Sequence, residues 1–436
     1  MTTTHEAVTA DHAVVTAQRP AMLVSPTVVV VGLGYIGLPT AAVLAGCGAH
    51  VVGVDINPET VAAVNAGRVP FVEPDLERAV SAAVEGGGLR AQAVPPPADV
   101  YIIAVPTPFK ADHQPDLSYV DAACDAIADQ LTGGELVVLE STSPPGTTQM
   151  VADRIMIARP DLSTDASGGR PQVHFAHAPE RVLPGRIMHE LVANDRIVGG
   201  LTPAAGEHAR GLYASFCKGK ILVTDALTAE MSKLVENSYR DVNIAFANEL
   251  SFICDNMGID VWELIDLANH HPRVDILRPG PGVGGHCIAV DPWFIVAADR
   301  DNARLIRTAR EVNDAKPAYV VDQVVAAAEQ FATPRIACLG VAFKANVDDL
   351  RESPAVQVVG EITERIPQAS VTVVEPHVLT LPEALVGKAS LGDLVSSVEW
   401  ADIVVLLVDH DAFTAVGPQI RTMAGKTVID TRGAWR

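Results

Sequence analysis

The chain has 436 residues, too many for one hydrophobic core and enough for two or three domains, and 48% of them are hydrophobic. Lys and Arg number 32 against 53 Asp and Glu, a net charge of -21, which argues against nucleic acid and against an anionic membrane as partners. Six cysteines stand singly (Cys47, Cys124, Cys217, Cys254, Cys287, Cys338), so no paired spacing signals zinc or a dithiol redox site, and a reducing compartment is expected.

Residues 1–25 are rich in Thr, Ala and His and carry no apolar run of signal-peptide length. No window reaches the ~18 uncharged apolar residues of a membrane span. The expectation is a soluble cytoplasmic protein with a flexible leader.

Thr27–Val31 is a β-branched run, the pattern of a strand buried on both faces in a parallel sheet. It feeds into Gly32-x-Gly34-x-x-Gly37, after which Pro39 opens a helix. A second strand, His50–Val54, ends in Asp55, 18 residues after Gly37. Glycines between strand and helix let backbone amides reach a pyrophosphate at a helix N-terminus. Asp55 then suits the ribose hydroxyls and repels a 2′-phosphate, and no arginine follows it, so the expected cofactor is NAD.

The α/β pattern continues. Asp99–Val105 reads as a strand entering Pro106-Thr107-Pro108, and Leu136–Leu139 as one entering Glu140-Ser141-Thr142. Loops at the carboxyl ends of parallel strands bind ligands, so Thr107 and Thr142 are candidates for contact, although both also read as turn or cap residues. Val173–Ala176 leads to Glu180-Arg181, an acid and a base at a sheet end, for which the plain alternative is a surface ion pair.

From Thr228 to Met257 there is no Pro or Gly and the apolar spacing is helical. Such a helix spans about 45 Å and suits a spine or a subunit interface. Lys233, Asn237 and Arg240 share one face, a stripe with no compensating acid that suits anionic oxygens or simply solvent. Gly280–Phe294 then opens with four glycines and presents Cys287 and Asp291, a setting that favours a reactive thiol over a buried structural one. A second α/β unit follows, with strands expected at Arg335–Gly340, Val371–Glu375, Asp402–Val408 and Thr427–Asp430. It echoes the first, with Ala401-Asp402 beside Ala98-Asp99, but the glycine fingerprint is not repeated; Lys344, Arg351 and Arg432 are its candidate cations.

Val-Gly-Leu-Gly-Tyr-Ile-Gly, Ser-Thr-x-Pro-Pro-Gly-Thr, Pro-Glu-Arg, Glu230-x-x-Lys233-x-x-x-Asn237-x-x-Arg240, Gly-Gly-His-Cys287-Ile-Ala-Val-Asp291 and Ala-Phe-Lys344…Arg351-x-Ser-Pro together resemble the UDP-glucose/GDP-mannose dehydrogenase family, from about Thr27 to Arg432. The resemblance implies two Rossmann-like doubly wound parallel-sheet domains joined by a long central helix. The expected divisions are an NAD-binding domain over 26–220, a central helical domain over 221–325 and a UDP-sugar-binding domain over 326–436.

It further implies an NAD-dependent, four-electron oxidation of a sugar C6 alcohol through a thiohemiacetal and a thioester on Cys287. Lys233 and Asn237 are assigned to the oxyanion, Glu180 to the base, and Thr142 and Asp291 to the water. Gly32, Gly34, Tyr35, Ile36, Gly37, Asp55, Thr107, Thr142 and Arg351 are assigned to the cofactor. Arg181, Val182, Lys233, Asn237, Arg240, His271, Arg273, Gly284, Phe343, Lys344 and Arg432 are assigned to the UDP-sugar.

The segment around Arg273 reaches a neighbouring subunit in this family, so a homodimer or larger assembly is expected. The cysteine loop is similar to that of members acting on UDP-N-acetyl-D-mannosamine, because Ala289-Val290 stands where UDP-glucose members more often carry Pro-Lys. UDP-N-acetylglucosamine and UDP-glucose are the alternative substrates. A two-electron hydroxyacid dehydrogenase, with no use for Cys287, and a non-catalytic NAD-bound scaffold are the alternatives of other classes.

Overall fold

The computed structural model describes residues 25–436 except 72, 111, 112, 184, 286, 287 and 424. The chain divides into two compact units, one built from residues up to 106, 119–141 and 148–229, the other from 107–118, 142–147 and 230–436.

The first unit carries an eight-stranded sheet: β1 (Thr27–Val31), β2 (His50–Val54), β3 (Leu89–Gln92), β4 (Val100–Ile103), β5 (Leu136–Leu139), β6 (His174–His177), β7 (Arg196–Gly200) and β8 (Ile221–Asp225), in the order β3-β2-β1-β4-β5-β6-β7-β8. Strand order reverses between β1 and β4, and both pair with β2 or β1 in parallel register, Val31 beside Val54 and Ile103. Ligands bind such sheets at the carboxyl ends beside the reversal. Val28, Val30, Leu38, Leu44, Val51 and Ile102 pack into one apolar core.

The sheet departs from expectation in four ways. β6 and β7 pair antiparallel, because the chain returns without a full crossover. β8 pairs with β7, so the sheet runs past the boundary expected at residue 220. β4 is also shorter than Asp99–Val105, since the Asp99 carboxylate is taken by the amide of Thr27 at 2.8 Å. β6 lies one residue later than Val173–Ala176.

The second unit holds the helix over residues 230–257, part of Ala226–Met257, and a five-stranded parallel sheet. Its strands are β9 (Arg335–Leu339), β10 (Ser370–Val374), β11 (Ser390–Leu391), β12 (Ile403–Leu406) and β13 (Thr427–Asp430), in the order β11-β10-β9-β12-β13. β11 had no counterpart in the sequence reading, and β12 is shorter than Asp402–Val408. Asp402 instead accepts the amide of Arg335 at 3.0 Å. Val320, Val324, Val358 and Val359 cover one face of this sheet, and Phe413, Ile420 and Trp435 the other. Among the described residues no helix is long and apolar enough to cross a membrane.

Candidate active site

In the first unit, the loop after β1 meets the stereochemistry of a dinucleotide site. Gly32 has φ +95°, and a Cβ there would lie 2.5 Å from the carbonyl oxygen of Ala104. A Cβ on Gly37 would lie 1.9 Å from the carbonyl oxygen of Gly32, so the helix Gly37–Gly46 can start there only with glycine. Gly34 meets nothing within 4 Å, which leaves its backbone open to a pyrophosphate. Ile36 is the N-cap of that helix, and Tyr35 stacks on Phe71 at 4.2 Å. Asp55 reaches back from the end of β2, accepting the amide of Leu33 at 3.0 Å and that of Asn57 at 2.9 Å. These residues fit NAD. When bound, NAD supplies a hydride acceptor.

The second unit gathers the helix face, the loop after β5 and the start of the helix Asp291–Ala298. Asn237 donates to Asp291 at 2.5 Å, and Lys233 and Asp291 are both buried. Burial pushes the Asp291 carboxyl up to about 6, against the pull of the Lys233 charge and the Asn237 hydrogen bond. The stripe therefore has a compensating acid after all. It comes from a helix that begins inside the glycine-rich stretch, where the sequence reading saw only a loop. Arg240, one turn further on, is exposed.

Two threonines meet here as well: the Thr107 hydroxyl donates to the carbonyl of Thr142. Glu230, buried, accepts the Gly146 amide at 2.6 Å and fastens this loop to the helix. Its place in the Glu230-x-x-Lys233 motif was the available signal. Val290 is buried with Leu234, Phe294 and Ile295, and Ala289 lines a cavity of about 450 Å³ with Trp293, Arg310 and Asn313.

His286 and Cys287 lie outside the described residues. The flanking glycines admit protein rather than leave space. A Cβ on Gly284 would lie 2.4 Å from the carbonyl oxygen of Glu352, and one on Gly285 3.2 Å from the Phe343 ring. Gly280 abuts the Arg432 guanidinium, whose Nε donates to Asp409 at 2.9 Å. Lys344 is exposed beside the Phe343 ring, and Arg351 forks onto Asp349 at 2.6 and 2.8 Å. The His271 ring accepts the Arg273 amide at 3.3 Å, and both residues are exposed.

Back in the first unit, Glu180 is not a surface partner of Arg181. It is buried, and its carboxylate takes Arg196 at 2.5 Å, while the Arg181 guanidinium bonds the carbonyl of Asp195 and Val182 packs on the core. Arg196, Glu140 and Tyr213 were not singled out in the sequence because their partners are remote along the chain. Among the described residues, no group of three His, Cys, Asp or Glu is placed to hold a metal ion.

Three family descriptions match the chain in order: "UDP-glucose/GDP-mannose dehydrogenase family, NAD binding domain" over residues 26–217, its "central domain" over 227–315 and its "UDP binding domain" over 337–436. The chain is 58% identical to the NDP-N-acetyl-D-galactosaminuronic acid dehydrogenase of Ralstonia nicotianae, over 94% of this chain and 96% of that one. It is 54% identical to the UDP-N-acetyl-D-mannosamine dehydrogenase of Salmonella typhi, over 94% and 99%. The solved structure of UDP-D-ManNAc dehydrogenase from Pyrococcus horikoshii superposes with a TM-score of 0.84 at 39% identity, over 94% and 96%.

Proposed function

The chain belongs to the UDP-glucose/GDP-mannose dehydrogenase family as an NAD-dependent UDP-sugar dehydrogenase, and from that premise we propose that it oxidises the C6 alcohol of UDP-N-acetyl-D-mannosamine to the carboxylate. Overall, R–CH2OH, two NAD+ and water give R–COO−, two NADH and three protons. Loss of the first hydride leaves an aldehyde, the Cys287 thiolate adds to it, and loss of the second hydride leaves a thioester that water cleaves. Lys233 and Asn237 stabilise the hemiacetal oxygen, Glu180 takes the proton of the attacking water, and Thr142 and Asp291 orient that water.

The observation that carries the reading is the Lys233–Asp291–Asn237 cluster, in which Lys233 and Asp291 are buried and whose acid stands four residues after Cys287. A cation, an amide donor and a near-neutral acid are what a developing oxyanion and a water require. The test is stoichiometry: two NADH per sugar, with a uronic acid identified by mass. One NADH and a free aldehyde or ketone rejects it. Cys287→Ala must abolish acid formation.

A second reading, oxidation of the galacto epimer, is favoured by the 58% identity to the Ralstonia nicotianae protein. Comparing kcat/KM on the two epimers, UDP-N-acetylglucosamine and UDP-glucose decides between them.

We assign residues 26–220 to NAD, 221–325 to the central region and 326–436 to UDP, with the remaining candidate residues in the roles given by the resemblance. The protein self-associates through the long helix. Val235, Tyr239, Phe246, Ile253 and Met257 are exposed and recur at steps of four or seven residues, which puts them on one face. Phe246→Glu is expected to lower the mass measured by light scattering; an unchanged mass removes this helix from the interface.

A further inference from the structure

The resemblance gives His410 no role, yet this residue is bonded to the loop that stands in the second sheet where the first has its glycine fingerprint. That loop runs from Gly340, after β9, to the helix Pro354–Arg365, and it carries Lys344, which the resemblance assigns to the UDP-sugar. The amide of Phe343 bonds the carbonyl of Asp349 at 3.0 Å, so residues 343–349 form a closed excursion. Asn346 lies inside that excursion, exposed and at φ +60°.

Two bonds hold Asn346 from outside the loop, and both come from the turn after β12. Its backbone amide donates to Nδ1 of His410 at 2.9 Å, and its side-chain oxygen accepts the amide of Asp411 at 3.1 Å. An amide N–H can only donate, so Nδ1 is the bare nitrogen of the ring and Nε2 carries the proton. Nε2 stands 3.1 Å from the carboxylate of Glu375, just past β10, and donates to it. The imidazole is fully buried and lies edge-on to Phe413, with ring centroids 5.3 Å apart. Glu375 also takes the amides of Val341 and Ala342, so one carboxylate holds both the stem of the loop and the ring. The imidazole thus passes the position of a buried strand end to an exposed stretch of loop.

We propose that His410 is a positioning residue for UDP. Through Asn346 it fixes the backbone two residues after Lys344 and so sets the loop before the diphosphate arrives. A cation on a loose loop loses conformational freedom when it binds, and a loop held beforehand loses less. The first sheet needs no such ring, because its helix starts at Gly37 and leaves no comparable excursion.

The inference rests on Lys344 binding the UDP-sugar, and the test separates the two. UDP is titrated into the full-length enzyme by calorimetry, and the melting temperature of each variant is measured beside it. Lys344→Ala should weaken UDP roughly tenfold. An unchanged affinity overturns the role of Lys344 and, with it, the inference. Two His410 variants then separate positioning from packing. His410→Asn sets an acceptor oxygen where Nδ1 stands and gives up Glu375, whereas His410→Gln sets its amide near Nε2 and gives up Asn346. Both should lower the melting temperature. Only His410→Gln should weaken UDP, by roughly tenfold, the worth of one hydrogen bond, and His410→Asn should stay within about twofold of the wild type. Equal affinities in the two variants, or the reverse order, show a role in packing alone and overturn the inference while the role of Lys344 stands. Should either variant fail to fold, Asn346→Gly decides. It keeps the positive φ and the amide, loses the bond to Asp411, and should weaken UDP about threefold. An unchanged affinity there overturns the tether.

Discussion

The two sheets share one plan up to the residue where they diverge in purpose. β1, β2 and β4 are matched by β9, β10 and β12 in order and register, with the strand reversal at the same place. Asp99 and Asp402 each fasten the first amide of the central strand. The amide of Gly32 bonds the carbonyl of Val54 at 2.8 Å, and that of Gly340 bonds the carbonyl of Val374 at 2.9 Å. Gly340 has φ +88°, so the first glycine of the fingerprint is in fact repeated; only the second and third are lost. The helix then starts at Gly37 in one sheet but at Pro354 in the other, and the intervening loop carries Lys344 and Arg351.

The acids at the ends of β2 and β10 show what the divergence means. Asp55 stays partly open, with lone pairs left for ribose hydroxyls. Glu375 is buried, accepting the amides of Val341 at 2.8 Å and Ala342 at 3.1 Å and facing His410 at 3.1 Å. Burial opposes its ionisation, yet the His410 and Val341 hydrogen bonds hold its carboxyl below the usual range. The same position stays partly open in one sheet and is an internal tether in the other.

The largest break in this comparison comes from Gly37→Ala, whose methyl collides with backbone. Loss of NAD binding and of a cooperative melt is expected by fluorescence titration and calorimetry. Gly34→Ala copies the second loop, whose corresponding residue is Ala342, and keeps the melt while weakening NAD. Next comes Glu375→Ala, which orphans two buried amides and should cost about 3 kcal/mol by urea unfolding, with NAD affinity unchanged. Because the folded pKa of Glu375 lies below its unfolded value, its contribution is complete above the unfolded pKa of about 4.3 and is lost as pH falls through the folded value. The variant's acid limb of stability should therefore be flatter than that of the wild type.

Asp55→Ala should weaken NAD roughly tenfold, about 1.4 kcal/mol, and barely move the melting temperature. An equal stability loss at Asp55 and Glu375 would erase the distinction. The smallest effect on stability is expected at Asp291, an acid that opens a helix instead of closing a strand. Its folded pKa is raised, so it costs stability as pH rises from about 4 towards 6 and above. Asp291→Asn should remove that slope and raise stability at pH 8 by at most about 1 kcal/mol, since the lost Lys233 attraction offsets part of the gain. Acid formation should be lost in the same variant.

The sequence by itself determined β1, β2, β4, β5, β6, β9, β10, β12 and β13 to within a few residues, the glycine loop with Asp55 and the long helix, while β3, β7, β8 and β11 were not read from it. Those signals are local: β-branched runs, glycine spacing and helical periodicity are fixed within a few residues of chain. Only the tertiary structure decided where charges find partners. Asp291 meets Asn237 across 54 positions, Glu140 meets Tyr213 across 73 and Glu230 holds Gly146 across 84. No periodicity records such pairings, because a buried carboxylate is stabilised by whatever donor the fold brings beside it, at any distance along the chain.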